Sequence, residues 1–231
     1  MDTSRDLLHQ YQLFLKTVKN YSAHTTKAYL LDLQEFLNYF NHTAEEIAVL
    51  KLENWQIRNY LGHLSLKGLS KNTVARKLAS IRRFYRFLLK KEIIDSSPFA
   101  NISTPKKNRQ LPRFLHYPDL KLILETVEVG SDLGIRNRAM LETLYGSGVR
   151  ISELVSLDVE NLNLDLGSVL VKGKGGRERL APLGRPSMIW LEKYLETSRN
   201  NLKGDNETEA LFLNYAGKRL SSRGVAKIID K

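Results

Sequence analysis

Arg150 is the residue on which chemistry is most readily built. It stands in Leu144-Tyr-Gly-Ser-Gly-Val-Arg150-Ile-Ser-Glu153-Leu, after two glycines and at the predicted start of a helix. Glycines there let backbone and ligand approach closely. An arginine beside a helix N-terminus suits a phosphate, because its forked donors add to free backbone N–H groups. Glu153, three residues on, is spaced to orient Arg150 or a neighbouring group. Lys174 lies in Gly173-Lys-Gly-Gly176, a predicted hairpin tip. A lysine there can enter a groove and give a proton to a leaving oxygen. Taken singly, each has an ordinary reading: an arginine decorating a helix start, and a plain Lys-Gly turn. The glycines fall between strands with no helix directly after them, which excludes a nucleotide-binding P-loop.

A second cluster is cationic. From Lys67 to Lys91 the chain holds nine basic residues and no acidic one. The spacing predicts a helix from Ser70 to about Lys91. At 100° per residue, Val74, Leu78, Ile81, Tyr85 and Leu88 share one stripe, and Asn72, Arg76, Arg83 and Lys90 lie opposite. Cations seven residues apart stand about 10 Å apart on such a helix, a row that matches a duplex groove bordered by phosphates. The candidate DNA contacts are Asn72 and Thr73 at the N-terminal end, then Arg76, Lys77, Arg83, Arg86 and Lys90. A merely solvated basic face and a membrane-surface helix are the competing readings. The missing acids weigh against the first, because surface helices interleave the two signs. Tyr85 and Leu88 are needed for a core, which weighs against the second.

These residues need a scaffold, and 231 residues allow one large domain or two modest ones. The net charge of +11 favours a polyanionic partner. Its distribution is uneven: residues 1–110 carry 18 Lys and Arg against 9 Asp and Glu, residues 111–231 carry 18 against 16. The absence of cysteine excludes disulfides and thiolate metal sites and fits a cytoplasmic protein. No apolar run approaches the roughly 18–20 residues of a membrane span, and the N-terminus lacks the pattern of a secretory signal.

Helical periodicity covers the first half in four segments: Leu7 to Val18, a second capped by Ser22, Leu52 to Leu66, and the basic helix. Residues 1–94 therefore read as a four-helix domain. Residues 95–113, rich in proline and basic residues, read as an exposed linker. Residues 114–231 read as mixed. Helices are expected at Tyr117, at Asn137 to Tyr145 and at Ser152. Two strands, Ser168–Lys172 and Arg177–Ala181, flank the glycine loop. Helix returns from Pro182 to Glu196, Leu211-Phe-Leu-Asn is a short buried element, and Ser221 caps a last helix. The fold class is mainly α with a small antiparallel β-sheet.

Arg150 and Lys174 carry a specificity together that neither has alone. The run Leu-Tyr-Gly-Ser-Gly-Val-Arg150-Ile-Ser-Glu-Leu followed by Val-Lys-Gly-Lys174-Gly-Gly-Arg-Glu-Arg-Leu-Ala-Pro-Leu closely resembles the tyrosine recombinases, or phage integrase family, most of all their bacterial Xer branch. Ser22-Ala-His-Thr-Thr-Lys-Ala-Tyr and Ser70-Lys-Asn-Thr-Val-Ala-Arg-Lys-Leu are similar to that family's helical core-binding domain. The resemblance implies a C-shaped clamp on duplex DNA, with a helical core-binding domain and an α+β catalytic domain. It implies cleavage of one strand by a tyrosine through a 3′-phosphotyrosyl link, with no cofactor and no metal. Subunits of one or two related kinds would form a tetramer on DNA, with no membrane partner. Arg150 would neutralise charge on the scissile phosphate. Lys174 would be the general acid toward the 5′-oxygen, and Glu153 a supporting residue. The chain departs from the pattern in one respect: it holds no His-x-x-Arg block and no tyrosine in the position of the nucleophile. His116 is its last histidine and Tyr215 its last tyrosine, and the tyrosines before Arg150 read as core residues. The expectation is a C-terminally truncated recombinase with an incomplete catalytic domain, which binds DNA without cutting it. The alternative is a non-catalytic protein that occupies or regulates recombination sites.

Overall fold

A computed structural model describes residues 4–19, 21–41, 48–104 and 114–230. The chain divides into two compact units, Met1–Pro112 and Arg113–Lys231.

The first unit holds α1 (Ser4–Thr17), α2 (Ala23–Asn41), α3 (Asn54–Leu66) and α4 (Lys71–Lys90). Helix α4 begins where Ser70 accepts a hydrogen bond from the Thr73 backbone N–H at 3.2 Å, leaving one fewer free donor in the first turn. Its predicted stripe, Val74, Leu78, Ile81, Tyr85 and Leu88, is buried throughout. Ala75, Phe84 and Phe87 are buried as well, so more of the helix is covered than one stripe requires. Aromatic rings fill the space. Tyr11 meets Phe84 edge-on at 5.1 Å, and Phe36 meets Tyr60 edge-on at 5.1 Å.

The expected exposed linker is corrected over its first part. Phe99 and Ile102 belong to the core of the first unit, with Phe99 packed 5.2 Å from the Tyr85 ring. Arg82 donates to the Ile102 carbonyl and to Thr104, fastening this segment along α4. Two apolar side chains outweigh the local polar composition, because burying each removes its area from water. The Lys-Arg-rich part of the expected linker, residues 105–113, lies outside the described residues.

The second unit holds α5 (Tyr117–Glu125), α6 (Asp132–Ser147), α7 (Ile151–Ser156), β1 (Leu162–Asn163), β2 (Ser168–Lys172), β3 (Glu178–Pro182), α8 (Arg185–Lys193), α9 (Arg199–Lys203) and α10 (Ser222–Ile229). The strands form an antiparallel sheet in the order β1-β2-β3, with Val169 opposite Ala181 and Val171 opposite Arg179. Helix α6 starts five residues before the expected Asn137, because Ser131 caps it by accepting from the Gly134 N–H. The core joins Met140 of α6, Leu154 of α7, Val169 and Val171 of β2, Leu191 of α8, and Phe212.

Three arginines brace the segments after α7 and after α9. Arg136 donates to the Leu213 carbonyl at 2.6 Å, Arg199 to the Ala210 carbonyl at 2.7 Å, and Arg219 to the Leu157 carbonyl at 3.0 Å. Arg136 and Arg199 satisfy backbone oxygens with no other backbone donor among the described residues, and the Leu157 oxygen accepts from the Leu211 N–H as well as from Arg219. Among the described residues no helix is long and apolar enough to cross a membrane.

Candidate active site

The site is organised around one turn. Gly148 ends α6 at φ 61°, in the left-handed region that costs glycine nothing and other residues more. The turn tucks Val149 into the core and delivers Arg150 to the surface, where its side chain is 76% exposed. Helix α7 then runs inward from Arg150 and buries Glu153.

Glu153 gathers three donors. One carboxylate oxygen accepts from the Arg150 guanidinium at 2.9 Å. The other accepts from the Arg150 backbone N–H at 2.9 Å and from Arg179 at 2.9 Å. The Arg150 backbone N–H, followed by the two guanidinium groups, holds the Glu153 carboxyl below the usual carboxylate range, against the opposing effect of burial. The carboxylate is therefore charged at neutral pH, and it fixes Arg150 without covering it. Helix α7 has only six residues, and the N–H of Arg150 is occupied by Glu153 rather than free for an anion. The exposed charged donor of this turn is the Arg150 guanidinium.

The glycine loop is a tight hairpin end. The Gly173 N–H donates to the Arg177 carbonyl at 2.7 Å, and Lys174–Gly176 forms a single 3-10 turn with Gly175 at φ 79°. The backbone of Lys174 lies at this tip, as predicted; its side chain lies outside the described residues. A side chain on Gly173 would stand 3.8 Å from the Glu153 carboxylate, so the hairpin base and the Arg150 turn are close neighbours. Arg179, which no motif singled out, is the residue that joins them. Its only sequence signal is the strand alternation that puts it on the same face as Arg177.

In the first unit the predicted cation row is partly diverted. Lys77 is buried and donates to Asp32 at 3.3 Å and to Glu35 at 2.5 Å, both on α2. Its assignment as a surface DNA contact is corrected. Lys77 lies seven residues before Phe84, on the same helical line, and follows that ring into the interior. The Lys77 ammonium, through its hydrogen bond, holds the Glu35 carboxyl below its ordinary range. Arg76 is half exposed but bonds Asp32. Arg83 lies over the Tyr21 ring at 5.8 Å, a cation–π contact that keeps it near the surface. Asn72, Arg86 and Lys90 are exposed, and Thr73 is half-buried with its hydroxyl on Ser70.

The tyrosines divide by burial. Burial pushes the phenols of Tyr11, Tyr60, Tyr85 and Tyr194 up, which disfavours the phenolate a nucleophile needs. Tyr194 also accepts from the Leu213 N–H. Tyr117, Tyr145 and Tyr215 are exposed. The expectation that every tyrosine before Arg150 is a core residue is corrected by the first two. Among the described residues no group of three or more His, Asp or Glu side chains is arranged to hold a metal ion.

Residues 113–231 match the model of the phage integrase family, and residues 8–92 match the phage integrase N-terminal SAM-like domain. The chain belongs to the phage integrase family. Among curated proteins, the tyrosine recombinase XerC of Pelotomaculum thermopropionicum is 40% identical, covering 97% of this chain and 76% of that protein. The tyrosine recombinase XerD of Staphylococcus aureus is 37% identical over the same shares. Among solved structures, a lambda integrase dimer bound to a COC' core site matches with a TM-score of 0.73 at 16% identity, covering 99% of this chain and 77% of that one. The XerH recombinase bound to palindromic difH substrate matches with a TM-score of 0.71 at 22% identity, covering 96% and 67%. This phage integrase family member thus has the fold of the recombinases, a SAM-like helical domain followed by a catalytic-type domain. Its Xer relatives support site-specific DNA recombination as the class of activity.

Proposed function

We propose that this chain binds duplex DNA at recombination sites, with Arg150 on the scissile phosphate. The observation that carries this reading is an exposed arginine held by a buried, charged carboxylate in a chain of the integrase family. A guanidinium presented in this way meets developing negative charge without having to reorganise, and electrostatic stabilisation of that kind dominates phosphoryl transfer. Lys174, at the hairpin tip, occupies the position from which a proton would reach the leaving 5′-oxygen in a strand-cleaving member of the family. Glu153 supports Arg150. On the first unit, Asn72, Thr73, Arg83, Arg86 and Lys90 are the DNA-facing set, with Arg76 a lesser member because Asp32 already holds it. Residues 1–94 act as the core-binding part and 114–231 as the catalytic part. Subunits assemble on the DNA as dimers and tetramers, as lambda integrase does in its dimer on a COC' core site and its tetramer on a Holliday junction.

The 231 residues contain no histidine after His116 and no tyrosine after Tyr215. Strand cleavage needs a nucleophile positioned against the phosphate, so this polypeptide binds DNA and leaves it uncut. The experiment is a gel-shift assay on nicked suicide duplexes carrying Xer-type palindromic core sites, followed by denaturing electrophoresis. A shifted complex without covalent protein–DNA adduct is expected. An adduct would overturn the uncut reading. Equal affinity for core-site and random duplex would overturn site-specific binding.

A further inference from the structure

Arg179 stands outside the roles assigned so far, yet it is the one side chain bonded to Glu153 from the sheet. It is the second residue of β3, opposite Val171. Its guanidinium reaches the same carboxylate oxygen that accepts the Arg150 backbone N–H, both at 2.9 Å. The base of the hairpin lies against that carboxylate at Gly173, where any Cβ would come into contact with it. One buried carboxylate therefore has the Arg150 turn on one side and the hairpin on the other. Charge-assisted bonds of this kind are short and directional, and a buried carboxylate needs its donors.

We infer that Arg179 is a positioning residue, which holds the β2–β3 hairpin in register with Arg150 through Glu153. It keeps the carboxylate oriented, and the carboxylate in turn fixes both the Arg150 N–H and the Arg150 guanidinium. The inference rests on the proposed role of Arg150 for its meaning in the reaction. The contact itself exists in the free chain.

The test is amide hydrogen exchange on the free 231-residue chain, read at the Arg150 amide and the Gly173 amide. Arg179→Ala should speed exchange at both by about tenfold or more, the range expected when a charge-assisted hydrogen bond is lost. Arg179→Lys should restore part of the protection at both. Arg177→Ala removes the same charge just before β3 without touching Glu153, and should leave both amides as they are. Should the alanine variant loosen α6 as well, Arg179→Gln, which keeps much of the length, replaces it and the same two amides decide. An unchanged Arg150 amide would overturn the inference, because Arg179 would then brace the hairpin alone. An equal effect from Arg177→Ala would overturn it too, because charge rather than the Glu153 link would be responsible. No DNA is present, so a failure of DNA binding would sink the proposed function and leave this result standing.

Discussion

Asp32 on α2 and Glu153 on α7 are both buried carboxylates that meet two basic side chains, yet they leave those cations in different places. Asp32 bonds Arg76, Lys77 and Ser80, and Lys77 is drawn almost wholly into the interior. Glu153 bonds Arg150 and Arg179, and both remain substantially exposed. The difference lies in where each cation leaves the backbone. Lys77 departs from the buried line of a long helix. Arg150 departs from a left-handed turn that has already carried the chain to the surface. A buried carboxylate beside a cation therefore does not say whether the cation is available to a ligand. In the first unit the arrangement ties α2 to α4. In the second it holds a guanidinium at the surface.

The comparison predicts unequal stability costs. Asp32→Ala should destabilise the first unit by about 3 kcal/mol, because it leaves Lys77 buried with one carboxylate fewer. Urea unfolding can be followed at Trp55 in a Trp190→Phe background, since the two tryptophans lie one in each unit. A cost below about 1 kcal/mol, the range of an exposed pair, would place this network with surface ion pairs and break the contrast.

Glu153→Gln should cost the second unit less, about 1–2 kcal/mol, since solvent screens its exposed arginines. Trp190 in a Trp55→Phe background reports it. This carboxyl's folded pKa is lowered. Its contribution is therefore present above the unfolded carboxylate value and is lost as pH falls through the folded one. The glutamine variant should flatten that part of the acid limb. A cost equal to that of Asp32→Ala would mean the arginines at Glu153 are structural rather than mounted.

The smallest effect should appear in DNA binding. Arg86→Ala with Lys90→Ala should reduce the magnitude of the salt slope by about two, if each meets one phosphate. Arg76→Ala alone should reduce it by less than about one, because Asp32 already neutralises it. A full unit from Arg76, measured by fluorescence anisotropy across a salt series, would show that the Asp32 pair opens on DNA.

Much of this was legible in the sequence wherever the governing rule is local. Ser70, Val74, Leu78, Ile81, Tyr85 and Leu88 specify α4 through a cap and a stripe. Arg150 and Glu153 are one helical turn apart, so their pairing follows from spacing. Gly173 to Gly176 between two alternating runs marks the hairpin. Less legible were the residues whose partners come from elsewhere. The net charge of Lys67–Lys91 suggested a free cationic face, because the neutralising Asp32 and Glu35 lie more than 40 positions away. Phe99 and Ile102 sit in a polar, proline-containing stretch and pack only because α4 offers them a surface.

The sequence by itself determined the element types, the two-part plan, the family and the Arg150–Glu153 pairing, because periodicity, capping and motif spacing act over a few residues. Tertiary structure decided which cations stay available. It took Lys77 out of the surface, committed Arg76 to Asp32, and brought Arg179 across 26 residues to Glu153. The physical reason is the same in each case. A charge is placed by the carboxylate that reaches it in three dimensions, and that distance is not written in the spacing of residues along the chain.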